Sequence, residues 1–95
     1  MGLIDKLRRK REIDPDEWRR RLRATGRITD GLILDNYVNA AEQDVVVYLY
    51  TLNGVDFESS DILSPEQLAE PVKYAPGAHV GIRYDPKNQG NSVVE

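Results

Sequence analysis

The dipeptide Asn53-Gly54 constrains this chain more than any other feature. A type I′ turn needs positive φ at both central positions, and Asn followed by Gly meets that need at the lowest steric cost. Before it stands Val45-Val46-Val47-Tyr48-Leu49-Tyr50-Thr51-Leu52, β-branched and aromatic; after it Val55-Asp56-Phe57-Glu58 alternates. Both runs have strand chemistry. A two-residue loop sets their register, pairing Leu52 with Val55, Tyr50 with Phe57 and Tyr48 with Ser59, so these residues and Val46 are the expected core face. The other face carries Val45, Val47 and Leu49, continued by Asp56 and Glu58. An apolar strip of that kind needs a cover. The expected cover is a helix laying Trp18 and Leu22 on the valines, with its arginines near Asp56 and Glu58; the rival is a partner protein or a second copy.

That helix is the best-marked element outside the hairpin. Asp14 is an N-cap, Pro15 takes the first helical position, Glu17 completes a capping box, and Ile13 can staple to Trp18. Arg19, Arg20, Arg21 and Arg23 crowd its later turns, where cations complement the helix dipole, and Gly26 is the expected left-handed stop. The reading is a helix over residues 15–25 whose only Trp acts as a packing anchor. Upstream, Leu3, Ile4 and Leu7 fall on one helical face ahead of Arg8, Arg9, Lys10 and Arg11, which makes a short amphipathic segment.

From Ile28 the pattern is that of a strand running to Val38, with Ile28, Leu32 and Leu34 on one parity and Gly31 where a bulge or a close crossing is tolerated. Ser64-Pro65-Glu66-Gln67 repeats the capping logic, and Pro71 limits it to a short connecting helix. Pro76-Gly77 turns into a strand alternating Ala78, Val80, Ile82 and Tyr84, and Asp85-Pro86-Lys87-Asn88 turns into a last strand through Val93 and Val94. The fold class is therefore mainly β (α+β): a five-stranded, mostly antiparallel, partly closed barrel with an N-terminal helical arm and a short connecting helix. The expected division is an arm over residues 1–26 and a β domain over residues 27–95.

Size and charge narrow the function. A chain of 95 residues with 40% apolar content builds one modest core. It has no cysteine, so disulfides and thiolate chemistry are excluded, in keeping with a reducing cytoplasm. No run approaches the roughly 18 apolar residues of a spanning helix, and no signal peptide is expected. The net charge of −3 hides a division: residues 1–27 hold ten Lys or Arg and five acids, hence +5, whereas residues 28–95 hold three basic and eleven acidic residues, hence −8. Either the basic helix packs on its own acidic body or it meets an anionic partner.

In residues 26–95 a resemblance can be traced. Tyr48-Leu49-Tyr50-Thr51-Leu52-Asn53-Gly54 resembles the Tyr-x-Tyr-x-Val-x-Gly opening of a bacterial domain of unknown function. The stretch Pro76-Gly77-Ala78-His79-Val80-Gly81-Ile82-Arg83-Tyr84-Asp85-Pro86-Lys87-Asn88, ending in Ser92-Val93-Val94-Glu95, looks like the closing segment of that family. The resemblance implies a small β domain, often attached to membrane helices, with no established activity.

Catalytic chemistry finds little purchase. His79, the single imidazole, lies on the outward side of a strand, where a solvated histidine is expected, and neither metal-ligand nor triad spacing surrounds it. Ser59-Ser60-Asp61 lacks an adjacent base, the alternating acids Asp56 and Glu58 read as a solvated rim, and no glycine-rich phosphate loop precedes a helix. The five tyrosines include Tyr48 and Tyr50, which read as core. The expected function is a non-enzymatic interaction module without cofactor or metal. Its contact residues are Leu3, Leu7, Arg8, Lys10, Arg11, Arg19, Arg20 and Arg23 on the arm, with Val45, Val47 and Leu49 on the sheet. The partner is a protein, a second copy or an anionic membrane surface, which places the chain in the cytoplasm or peripherally on the inner membrane. Nucleic-acid binding by the same arginines is the alternative, since small five-stranded barrels bind RNA, and a small hydrolase is the remote one.

Overall fold

The computed structural model describes residues 15–95. Its elements in chain order are α1 (Pro15–Thr25), β1 (Arg27–Val38), β2 (Asp44–Leu52), β3 (Val55–Ile62), α2 (Pro65–Leu68), a 3-10 turn (Pro71–Tyr74), β4 (His79–Asp85) and β5 (Asn88–Val94). All paired neighbours are antiparallel and the sheet order is β3-β2-β1-β4-β5. The run β4-β1-β2-β3 is a Greek key. β5 hairpins back from β4 and curls round to meet β3, which closes most of a barrel.

The β2–β3 hairpin has the predicted register, Leu52↔Val55, Tyr50↔Phe57 and Tyr48↔Ser59. Asn53 (φ 51°) and Gly54 (φ 79°) both adopt the positive φ that the turn demands. Val46, Tyr48 and Tyr50 are buried and form the core with Ile33, Val80, Ile82, Val94, Leu63 and Tyr74. Tyr50 lies at the centre of an aromatic group, with ring centroids 6.0 Å from Tyr48, 5.4 Å from Phe57 and 6.4 Å from Tyr84.

β1 departs from the expected parity. Ile33, not Ile28, Leu32 or Leu34, is its core residue, and Ile28 is 57% exposed. Gly31 is the physical reason. A Cβ there would lie 2.4 Å from Ile82 Cγ1, so the missing side chain is the space Ile82 fills. The register shift falls between Ile33 and Asp35, two residues beyond the glycine.

The cap of α1 at Asp14 and the staple residue Ile13 lie outside the described residues. Gly26 ends α1 differently from the expectation, since its φ is not positive. Its N–H donates to Leu22 O at 2.7 Å, and a Cβ would meet that oxygen at 2.4 Å and Tyr84 O at 3.0 Å. The glycine is needed for close approach to β4. The second capping box is as predicted: Ser64 Oγ accepts from Gln67 N while Gln67 Oε1 accepts from Ser64 N.

α1 is not the cover of Val45, Val47 and Leu49. It packs on β4 and β5, and its arginine reaches Asp61, not Asp56 or Glu58: Arg19 Nη2 donates to Asp61 Oδ1 at 2.8 Å. Leu22 is the side chain it buries. The reason lies at the seam, where β3 and β5 are the two edges of the sheet. Edge backbone groups need partners, and a helix placed over this edge brings them.

Candidate functional site

The seam is closed by side chains. Asp61 is buried, and its Oδ1 accepts from Arg19 Nε, Arg19 Nη2 and Ile62 N while Oδ2 accepts from Val94 N. Val94 O accepts from Gln67 Nε2 at 3.1 Å and Arg23 Nη2 at 3.3 Å. Tyr74 Oη donates to Glu95 O, and Tyr50 Oη donates to Gln89 O. Tyr48 Oη and Ser92 Oγ share a buried hydrogen bond of 2.7 Å. Desolvation pushes the Tyr48 phenol up to about 12, against smaller opposing contributions from its hydrogen bonds to Ser92 and Ser59. A phenol held neutral in this way serves the structure, as one partner of a buried hydroxyl pair.

This arrangement divides the predicted contact residues. Arg19 and Arg23 serve the seam. Arg20 is exposed, and Arg21 makes an i,i+4 pair with Glu17 at 3.3 Å. Leu3, Leu7, Arg8, Lys10 and Arg11 lie outside the described residues. Val45 is only 6% exposed, because its cross-strand neighbours Tyr37 and Ile62 flank it. Val47 and Leu49 are half-buried beside Asp35, Ser60, Leu32 and Glu58. Much of the strip is thus covered by its own sheet.

His79 is exposed and pairs with Leu32 across the ladder. Among the described residues no group of three or more His, Asp or Glu is placed to hold a metal ion. Ser59 turns toward Tyr48, and Asp61 is engaged at the seam. Among the described residues no helix is long and apolar enough to cross a membrane.

Apolar side chains gather at the end of the barrel where β1 finishes and β2 begins. A cleft of about 170 Å³ lies there between the strand ends and the connecting helices, lined by Tyr37, Val38, Leu63, Leu68, Pro71 and Tyr74 together with the polar Asn36, Asp44 and Gln67. Its rim is exposed, with Tyr37 at 49%, Val38 at 62% and Leu68 at 41%. Sequence reading missed this site. Val38 and Leu68 stand thirty positions apart, and only the turn of the chain through α2 brings them to one cleft.

A second shallow groove of about 290 Å³ runs between α1 and the β4–β5 turn, with Trp18 and Leu22 on one side and Pro86 and Asn91 on the other. Trp18 is half-buried there, an anchor of the helix on the hairpin.

A family described as a domain of unknown function (DUF3592) matches residues 24–95. No curated protein and no solved structure matches the chain.

Proposed function

Because the chain belongs to the DUF3592 family, whose description assigns no activity, we propose that it is a non-enzymatic interaction module in which the barrel is the scaffold and the basic N-terminal arm is the contact element. The observation that carries this is the charge division, +5 over residues 1–27 against −8 over the remainder. Two of the arm's cations, Arg19 and Arg23, bind the barrel's own seam. Leu3, Leu7, Arg8, Lys10 and Arg11 carry apolar and basic character in one short stretch of sequence, and Arg20 of α1 is turned to solvent. Such a segment suits an acidic surface with apolar ground beneath it, whether of a protein partner, a second copy or an anionic membrane. The accompanying reading of location is the cytoplasm, peripheral to the inner membrane when a lipid surface is the partner.

Nucleic-acid binding by the same arginines is weaker on chemical grounds. Partly open five-stranded Greek-key barrels include the OB-fold, which binds oligonucleotides on the face of its second and third strands. Here that face carries Asp56 and Glu58, both exposed, and carboxylates repel a phosphate backbone. The analogy is one of architecture only.

Flotation with vesicles, anionic or neutral, together with light scattering after size exclusion, tests the reading. The intact chain is compared with one carrying Leu3→Glu and Leu7→Glu, at low and at physiological salt. The module predicts association with an anionic surface or a second copy that weakens in the variant and as salt rises. Identical behaviour of both chains in every condition would contradict it.

A further inference from the structure

The hydrogen-bond parity of β3 decides which of its backbone groups are paired. In a hairpin with a two-residue loop the flanking pair, here Leu52↔Val55, exchanges hydrogen bonds, and every second pair along the antiparallel ladder does the same. Val55, Phe57, Ser59 and Asp61 therefore turn their N–H and C=O toward β2. Leu63 N, which donates to Asp44 O at 2.9 Å, continues that parity. The N–H and C=O of Asp56, Glu58, Ser60 and Ile62 face the other way, where β3 has no ladder.

The seam uses only the far end of this edge. Ile62 N is taken by Asp61 Oδ1, and Asp61 Oδ2 takes Val94 N of β5. Among the described residues no side chain and no ladder does the same for the outward backbone groups of Asp56, Glu58 and Ser60. Natural edges are commonly blunted by proline, lysine or a bulge. β3 holds no Pro and no Lys, and its register with β2 runs unbroken from Val55 to Ile62.

What the edge carries instead is charge of one sign. Asp56 and Glu58 are exposed on the outer face, and neither makes an ion pair among the described residues. Asp56 accepts from Thr51 Oγ1 at 2.6 Å. On the inner face Phe57 is half-buried against Tyr50, with ring centroids 5.4 Å apart, and Val55 is 54% exposed. Residues directly opposite one another across a ladder share a face, so a strand added here sets its residues alternately against carboxylates and against apolar side chains. A second copy's β3 fails that condition. Antiparallel pairing of two such edges brings Asp56 and Glu58 of each copy against those of the other, and like charges directly opposite destabilise a sheet.

We propose that the β3 edge over residues 56–60 docks an extended segment of another protein in which Lys or Arg alternates with apolar residues, held by main-chain hydrogen bonds as an added strand. Its cations pair with Asp56 and Glu58, and its apolar residues lie beside Val55 and Phe57. The N-terminal arm takes no part in this contact, so this proposal and the reading of the arm can each fail alone.

Amide hydrogen exchange of the full chain, read residue by residue, tests the proposal with a short synthetic peptide alternating Lys and Val. In the free protein the amides of Asp56, Glu58 and Ser60 are expected to exchange fast and those of Phe57 and Ser59 slowly. The peptide should slow the first three several-fold, whereas a peptide of the same composition with its lysines in one block and its valines in another should not. Asp56→Lys/Glu58→Lys should abolish the protection, and Ser60→Pro, which removes an outward N–H and keeps both acids, should weaken it. Slow exchange retained at Phe57 and Ser59 shows that each variant is folded. Protection of the three outward amides before any peptide is added, no protection by the alternating peptide, equal protection by the blocked one, or protection that survives the charge reversal would overturn the proposal.

Discussion

Asp61 is the residue on which α1, β3 and β5 meet. Its buried carboxylate accepts from Arg19, Ile62 N and Val94 N, so removing it takes an ion-pair partner from Arg19 and leaves the buried Val94 amide without its acceptor. Asp61→Ala is expected to cost about 3 kcal/mol in urea unfolding, the scale for breaking one side of a buried pair. Glu58→Ala, exposed on the same strand, should stay within about 0.5 kcal/mol. Tyr48 provides a pH signature. Its folded-state value is raised from 10.0 to about 12 by burial, so the neutral phenol is favoured in the folded protein. Its contribution is fully present below pH 10 and is lost as pH rises toward 12. Stability should fall across that window, ionisation of Tyr48 read by tyrosinate absorbance should lag until unfolding, and Tyr48→Phe should reduce the fall. That substitution also leaves the Ser92 hydroxyl without this partner, at a cost of about 1–2 kcal/mol near neutral pH.

Among the elements, β1 is governed by a contact with β4. If Gly31 is the space for Ile82, Gly31→Ala should destabilise by about 1–3 kcal/mol through overpacking. Combining it with Ile82→Ala should give a double mutant more stable than the sum of the single losses implies, as read from a double-mutant cycle. Strict additivity would contradict the account. The same element shows what the sequence makes legible. The β2–β3 register followed from Asn53-Gly54 alone, because a two-residue loop leaves no freedom. The parity of β1 did not, since Ile28, Leu32 and Leu34 outnumber Ile33 and the deciding atom belongs to a residue 51 positions away. The seat of α1 was hidden for a related reason. Charge pairing pointed at Asp56 and Glu58, which are exposed, while the carboxylate that receives Arg19 is turned inward on the opposite parity.

For the whole molecule, a barrel whose two edge strands meet without a ladder needs other closure, and Asp61, Gln67, Tyr48, Tyr50 and Tyr74 provide it. None of these polar contacts repeats at a readable spacing, so the candidate cleft that α2 and the 3-10 turn build beside the seam left no trace in the linear pattern. The division of charge did, and it carries the proposal at the centre of the account, that the basic arm is a docking element for an anionic surface or a second copy. Flotation with anionic and neutral vesicles, beside light scattering after size exclusion, tests it most directly on the full chain and the full chain carrying Leu3→Glu and Leu7→Glu. The account predicts association that weakens in the variant and as salt rises. Identical behaviour of the two chains at every salt concentration would contradict it.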